Sequence, residues 1–388
     1  MKSTKRACQV CGNSSAEPIY TNNLASLDGF DMSYTLSRCK QCGFHFANYL
    51  PSENLYAEYY SQLSKYDSQP HVSTLDQYRA DAAVDICKKR FRRDIAILDI
   101  GCGFGVFLAS LRDAGFHNLK GIDPAPQSSN RALELFGLKN IHQGSLQNAI
   151  DLVDFSRVDL VCLMAVLEHL PELRRDLKKL LALLRKGAMV LVEVPALDLF
   201  DASQGEPFGE LSIEHIQYFQ AQSLHNLFAS LGAKVVETAL LKLDDLNSGA
   251  LFALIEIEEH VSPIVNYEDP SVMDSYLTKS ELRWLEALNN VPATSFILYG
   301  AGSHSARLLP SLNSQQKSNL IAVLDGNANL QGKKFGDWFV EPPEALSNYP
   351  HIPVLISSWR SENIIAQNLK KNHPDHVLKL MYQNASRG

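Results

Sequence analysis

Short apolar runs alternate with amphipathic stretches along this chain, and the alternation predicts elements before any chemistry is considered. Residues 75–93 carry a helical pattern that ends in the charged cluster Lys88-Lys89-Arg90-Phe91-Arg92-Arg93, read as a solvated helix end. Ile95–Ile100 is an apolar run of the kind a buried parallel strand requires. Gly101-Cys102-Gly103-Phe104-Gly105 interrupts it, and a helix is predicted to begin at Val106. The next strand, Leu119-Lys120-Gly121-Ile122, ends in Asp123. Val158–Leu163 predicts another strand, Glu172–Leu184 a helix that stops at Arg185-Lys186-Gly187, and Met189–Val194 a strand that ends at Pro195. A helix follows from near Ala221, and another spans Ser271–Leu288. A second series then begins: strand Ser295–Tyr299, a glycine turn and helix from Gly300, strand Ile321–Leu324 ending at Asp325, strand Val354–Ser358, helix Glu362–Lys370 and a last strand through Val377–Leu380. Strands that alternate with helices in this way predict an α/β fold built on parallel sheets.

A length of 388 residues exceeds one ordinary domain and predicts two or three. With 45% hydrophobic and 20% charged residues, the chain has enough apolar mass for real cores. No apolar run reaches the ~18 residues that span a bilayer. The opening MKSTKRACQVCG has no apolar segment of the kind a secretory signal needs. The formal charge is −7, with no basic block suited to a phosphate backbone. These features predict a cytoplasmic enzyme acting on a small molecule, with neither a nucleic acid nor a membrane as partner; the oligomeric state is left open.

Cysteine usage adds a metal. There are seven cysteines, an odd number that argues against a disulfide framework. Cys8-x-x-Cys11 and Cys39-x-x-Cys42 are each followed by glycine, Gly12 and Gly43. Such a knuckle folds two thiolates around one ion, and two knuckles supply the four sulfurs of a structural zinc site. The 27 intervening residues have room for a small hairpin, with Leu24–Gly29 as its turn. Free thiols or two redox pairs are the alternative, and His45 is read as a bystander.

The glycine turn after Ile100 lies between a strand and a helix, the context a nucleotide-binding loop requires. Asp123, twenty-two residues after Gly101, closes the second strand, where an acid can accept both ribose hydroxyls. The turn does not read G-x-G-x-x-G, so a dinucleotide is disfavoured. Leu98-Asp99-Ile100-Gly101-Cys102-Gly103-Phe104-Gly105 resembles the first motif of class I S-adenosylmethionine (SAM) methyltransferases. Further matches follow in that family's order: Asp123-Pro124, Gly144-Ser145-Leu146, Val166-Leu167-Glu168-His169-Leu170 and the turn before Met189. The resemblance covers roughly residues 75–260. It implies SAM as cofactor, held by Asp99, Gly101, Cys102, Gly103, Phe104, Gly105, Asp123, Pro124, Ser145 and Leu146. Where the family commonly has an acid beside the adenine, this chain has Ser145.

A second constellation, Glu214-His215-Ile216-Gln217-Tyr218-Phe219, precedes the helix at Ala221. An imidazole ordinarily titrates near working pH, so His215 suits a general base, or it fastens the loop to the core. A four-cysteine segment, a methyltransferase core and a further small α/β domain together resemble the sugar C-methyltransferases, which act on nucleotide-linked 4-keto-deoxysugars. This resemblance implies a zinc-binding segment at 1–50, a helical, Tyr-rich connector at 51–90, a Rossmann-like methyltransferase core at 91–260, a helical linker at 261–290 and a C-terminal Rossmann-like domain at 291–388. It places catalysis on His215 or His169 as base, with Glu168, Glu214 and Tyr218 orienting or donating. Substrate contacts are expected from Tyr66 and from the second glycine turn, through Tyr299, Gly300, Gly302, Ser303, His304 and Asp325, unless that domain only supports the first. Members typically carry Tyr-His where this chain has Ser212-Ile213, and a Gly-Gly-Ser turn where it has Asn247-Ser248-Gly249-Ala250. The departures leave the acceptor open, so O- or N-methylation and a non-catalytic SAM-binding scaffold stand as rivals.

Overall fold

A computed structural model of the chain describes residues 4–31, 33–50, 72–200, 205–212, 214–242, 249–258 and 265–382. The tyrosine-rich stretch with Tyr56, Tyr59, Tyr60 and Tyr66, together with Ile213 and Asn247-Ser248, lies outside the described residues.

The central sheet has seven strands. Five are parallel: β5 (Ile97–Ile100), β6 (Leu119–Asp123), β7 (Ile141–Gln143), β8 (Leu160–Met164) and β9 (Met189–Pro195); β11 (Ala233–Lys242) and β12 (Gly249–Ile257) form an antiparallel hairpin at one edge. The order is β11-β12-β9-β8-β5-β6-β7. It reverses direction between β5 and β8, and open α/β sheets bind ligands at such a switch point, beyond the carboxyl ends of the strands. The apolar runs have no polar face because both faces are covered. On β8, Val161 and Leu163 enter one core while Leu160 and Cys162 enter the other; on β9, Val190 and Val192 oppose Leu191 in the same way. The helix preceding β5 runs Thr74–Arg90. Ser73 caps its first turn by accepting from the Asp76 amide at 3.0 Å, and Lys88, Lys89 and Arg90 complement the dipole at its end.

The N-terminal segment forms β1 (Thr4–Lys5), β2 (Ala16–Asn22), β3 (Tyr34–Cys39) and β4 (His45–Leu50). A fifth strand, β10 (Gln217–Tyr218), comes from the segment between β9 and β11 and pairs with β4. The segment is therefore wedged into the rest of the chain. Phe46 of β4 joins the core that holds Val161 and Val190, while Ala47 joins the one that holds Trp284, Phe296 and Leu298.

The C-terminal sheet contains β13 (Phe296–Tyr299), β14 (Leu320–Leu324), β15 (Lys334–Phe335), β16 (Trp338–Glu341), β17 (Val354–Ile356) and β18 (Leu378–Leu380), in the order β15-β16-β14-β13-β17-β18. All but β15 are parallel, and the order again reverses beside the first strand of the unit, between β13 and β17. The helix Ser271–Leu288 leads into this unit as expected, with Met273, Tyr276 and Trp284 buried. No helix among the described residues is long and apolar enough to cross a membrane.

Candidate active site

The glycine turn carries β5 into the helix Val106–Asp113 through three residues of positive φ: Gly101 at +80°, Gly103 at +53° and Gly105 at +84°. At Gly101 a Cβ would stand 2.5 Å from Val166 Cγ2, so a side chain is excluded by space as well as by dihedral. The Gly103 amide donates to Asp123 Oδ2 at 2.7 Å; the Ala125 amide at 2.9 Å and the Ser128 hydroxyl at 2.7 Å donate to Oδ1. The acid at the end of β6 thus fixes the turn at the end of β5.

An open cleft lies against this turn. Asp99, Gly101, Cys102, Gly103 and Phe104 line it, five of the ten residues expected to hold the cofactor. The other five do not: Gly105 caps the helix start, Asp123 lies behind the turn, Pro124 is exposed, and Ser145 and Leu146 sit half-buried in the loop after β7. The cleft also takes residues that sequence reasoning missed, among them Arg79 and Glu193. Arg79 reaches from the helix Thr74–Arg90 and donates to Glu193 through Nε at 3.0 Å and through Nη2. A lone acid in the otherwise apolar run Val190-Leu191-Val192-Glu193-Val194 was the available signal. Ala165, also on the cleft, holds φ at +53°, an unusual conformation for a residue with a Cβ.

Asp99 is fully buried, and its Oδ1 has no hydrogen-bond partner among the described residues. Burial, with the Asp123 charge behind it, pushes the Asp99 carboxyl up to about 8. An unsatisfied acceptor at a cleft wall fits a ligand that brings a donor, as the amino group of SAM would.

Beyond Ala165 the chain makes one 3-10 turn, Leu167–His169, before the helix Leu173–Leu183. That helix takes Glu172 as its N-cap residue, so Glu168 and His169 do not cap it. They meet His215 instead. The Ile216 amide donates to the Glu168 carbonyl at 2.9 Å, the Gln217 amide side chain donates to the Leu170 carbonyl at 2.8 Å, and the rings of His169 and His215 stand edge to face with centroids 5.0 Å apart. His169 Nε2 lies 3.6 Å from Glu168 Oε1. Glu214 contributes its carbonyl, 3.1 Å from His169 Nδ1. Tyr218 is buried and braces the loop: its hydroxyl donates to the His215 carbonyl at 2.7 Å and receives the Tyr34 hydroxyl at 2.5 Å. Ser212 accepts from the His215 amide at 3.0 Å, a backbone role.

The four knuckle cysteines converge. Sγ atoms of Cys8 and Cys42 are 3.7 Å apart, those of Cys11 and Cys39 are 3.6 Å apart, and all four lie within 4.8 Å of one another. A tetrahedral zinc with ~2.3 Å bonds needs sulfurs ~3.8 Å apart, so the set fits that ion. The two knuckles close alike, Gly12 N to Cys8 O and Gly43 N to Cys39 O, both 2.9 Å. His45 is buried but stands outside the cluster, as read from the sequence.

In the C-terminal unit, Ala301 donates its amide to Asp325 Oδ2 at 2.7 Å, repeating the device of Gly103 and Asp123. Gly300 holds φ at +112°, Gly302 and Ser303 start the helix Ser303–Ser311, and Tyr299 is half-buried at the strand end. His304 is turned inward: Nδ1 lies 2.7 Å from Ser357 Oγ and Nε2 2.6 Å from the Tyr382 hydroxyl, in a site 5% exposed. Both ring nitrogens are engaged inside the protein, so His304 braces the unit from within.

A sheet that reverses beside a glycine turn, a strand-end acid locking that turn and a cleft above it define a nucleotide-binding unit of Rossmann-like fold. The comparisons agree for one segment: residues 73–238 match the family model described as "Methyltransferase domain". Human EEF1A lysine methyltransferase 2 is 46% identical over 57 residues, 14% of this chain; the match spans about a quarter (24%) of that relative's length. Among solved structures, a Burkholderia thailandensis 1,6-didemethyltoxoflavin-N1-methyltransferase covers 56% of this chain and 96% of its own, at 18% identity and a TM-score of 0.44. A magnesium protoporphyrin IX methyltransferase from Synechocystis PCC 6803 with bound SAM covers 54% and 98%, at 14% identity and a TM-score of 0.40.

Proposed function

We propose that this chain methylates a carbon atom beside the ketone of a nucleotide-linked keto-deoxysugar, with SAM as donor and a structural zinc at Cys8, Cys11, Cys39 and Cys42. The observation that carries the reading is the meeting of Glu168, His169 and His215, on the chain that leaves the glycine-turn cleft at Ala165. SAM, when bound, supplies a methyl group on a sulfonium sulfur that leaves as a neutral thioether. Asp99 accepts from the donor's amino group, Gly101–Phe104 line its path, and Asp123 holds the turn from behind. His215 or His169 removes the proton from the carbon beside the ketone, and the resulting enolate carbon takes the methyl group as the carbon–sulfur bond breaks. Glu168 orients the imidazoles and balances the charge they gain. Tyr218 and Glu214 act as positioning residues through the His215 carbonyl and His169 Nδ1. The C-terminal unit, with Tyr299, Gly300, Gly302, Ser303 and Asp325 at its own switch point, takes the nucleotide of the acceptor.

The test is exchange of the substrate's α-proton with deuterated solvent in the absence of SAM. Carbon methylation predicts exchange that His215→Asn slows by ~10²–10⁴-fold. Methyl transfer without exchange would assign the same residues to a hydroxyl or amine acceptor. SAM binding with no transfer to any nucleotide sugar would leave only the binding role.

A further inference from the structure

We propose that Glu168, His169 and His215 bind one divalent first-row metal cation whose open coordination positions face the methyl acceptor, a proposal that rests on reading this cluster as the acceptor site. Among the described residues, only two groups of His, Cys, Asp and Glu side chains converge closely enough to share an ion: the four cysteines and this one. Its three ligand atoms lie within 4.8 Å of one another. The 3.6 Å from His169 Nε2 to Glu168 Oε1 is too long for a hydrogen bond. It is close to the ~3.4 Å that separates two ligands bound at ~2.1 Å to one ion.

The supporting contacts point the same way. A backbone carbonyl only accepts, so the contact of His169 Nδ1 with Glu214 O at 3.1 Å places the ring proton on Nδ1 and, in the neutral ring, the lone pair on Nε2. Metal-binding histidines are held in this manner, the second nitrogen donating to a carbonyl or carboxylate. His215 is fixed through its own backbone, its amide donating to Ser212 Oγ and its carbonyl accepting from Tyr218. Two imidazoles and one carboxylate suit Mn²⁺, Fe²⁺ or Zn²⁺ and leave positions for substrate oxygens. Glu168 lies three residues beyond Ala165, which lines the cofactor cleft. An ion here would polarise the acceptor ketone, and because it takes the lone pairs of both imidazoles, a hydroxide on the ion would replace His169 or His215 as the base.

The experiment titrates Mn²⁺ into the full-length, zinc-retaining protein and follows the loss of the free-Mn²⁺ paramagnetic resonance signal. One Mn²⁺ per chain is expected. His169→Ala and His215→Asn, on separate segments, should each weaken binding at least tenfold, while SAM affinity measured by calorimetry stays within about twofold and so confirms the fold. An unchanged signal with the wild-type chain at millimolar Mn²⁺, or equal binding by both variants, overturns the proposal. The acceptor assignment fails separately: Mn²⁺ bound but no keto-sugar methylated removes the substrate reading and keeps the ion. Full turnover in metal-free buffer with no Mn²⁺ bound removes the ion and keeps the base.

Discussion

The amide of Gly103 donates to Oδ2 of Asp123 across 2.7 Å, so one carboxylate at the end of the second parallel strand sets the shape of the turn at the end of the first. Asp123→Ala would leave the amides of Gly103 and Ala125 and the Ser128 hydroxyl without their acceptor. Hydrogen bonds to a charged group contribute ~1.5–3 kcal/mol each. The variant should lose at least tenfold in SAM affinity by calorimetry and melt earlier; an unchanged affinity would separate the acid from the cofactor.

The cysteine cluster should matter beyond its own segment, because β4 lies between two cores, with Phe46 in one and Ala47 in the other. Elemental analysis of chelator-free protein should find one zinc per chain. Cys39→Ser should abolish stoichiometric zinc and lower the melting temperature of the whole chain, not of a fifty-residue part. A metal-free protein with unaltered melting would contradict this.

Asp99 gives a pH dependence with a definite sign. Its folded-state carboxyl titrates at about 8, above the unfolded value, because burial penalises the charged form. Between the two values the folded chain binds the extra proton. This contribution is complete below the unfolded value and is lost as pH rises through about 8, with a slope of up to ~1.4 kcal/mol per pH unit. Asp99→Asn should flatten that part of the stability curve measured by urea unfolding; an equally steep curve would mean Asp99 is not the group responsible.

Tyr34 connects the N-terminal sheet to the site through its hydroxyl, which donates to Tyr218 while Tyr218 donates to the His215 carbonyl. Tyr34→Phe should cost about 1 kcal/mol of stability and reduce kcat several-fold without altering SAM affinity. An unchanged kcat would limit the contact to packing.

The alternation of apolar runs with helical stretches already placed the helix Ser271–Leu288, the helix starts at Val106 and Ala221 and most of the parallel strands, because each is a local consequence of periodicity and of where glycine falls. The short strands β7, β15 and β16 escaped notice. Arg79 and Glu193 escaped as well. They are 114 residues apart, and their pairing is a property of the fold.

The sequence by itself determined the two glycine turns, the acids that follow them and the two knuckles, all of which are short-range patterns with one backbone solution. Only the tertiary structure decided that β10 completes the N-terminal sheet, that His304 is turned inward while His169 is turned toward His215, and that the cleft is walled by an ion pair from distant helix and strand. Those outcomes depend on which surfaces meet, and contacts between residues far apart in the chain are selected by burial across the whole molecule and leave no local periodicity to read.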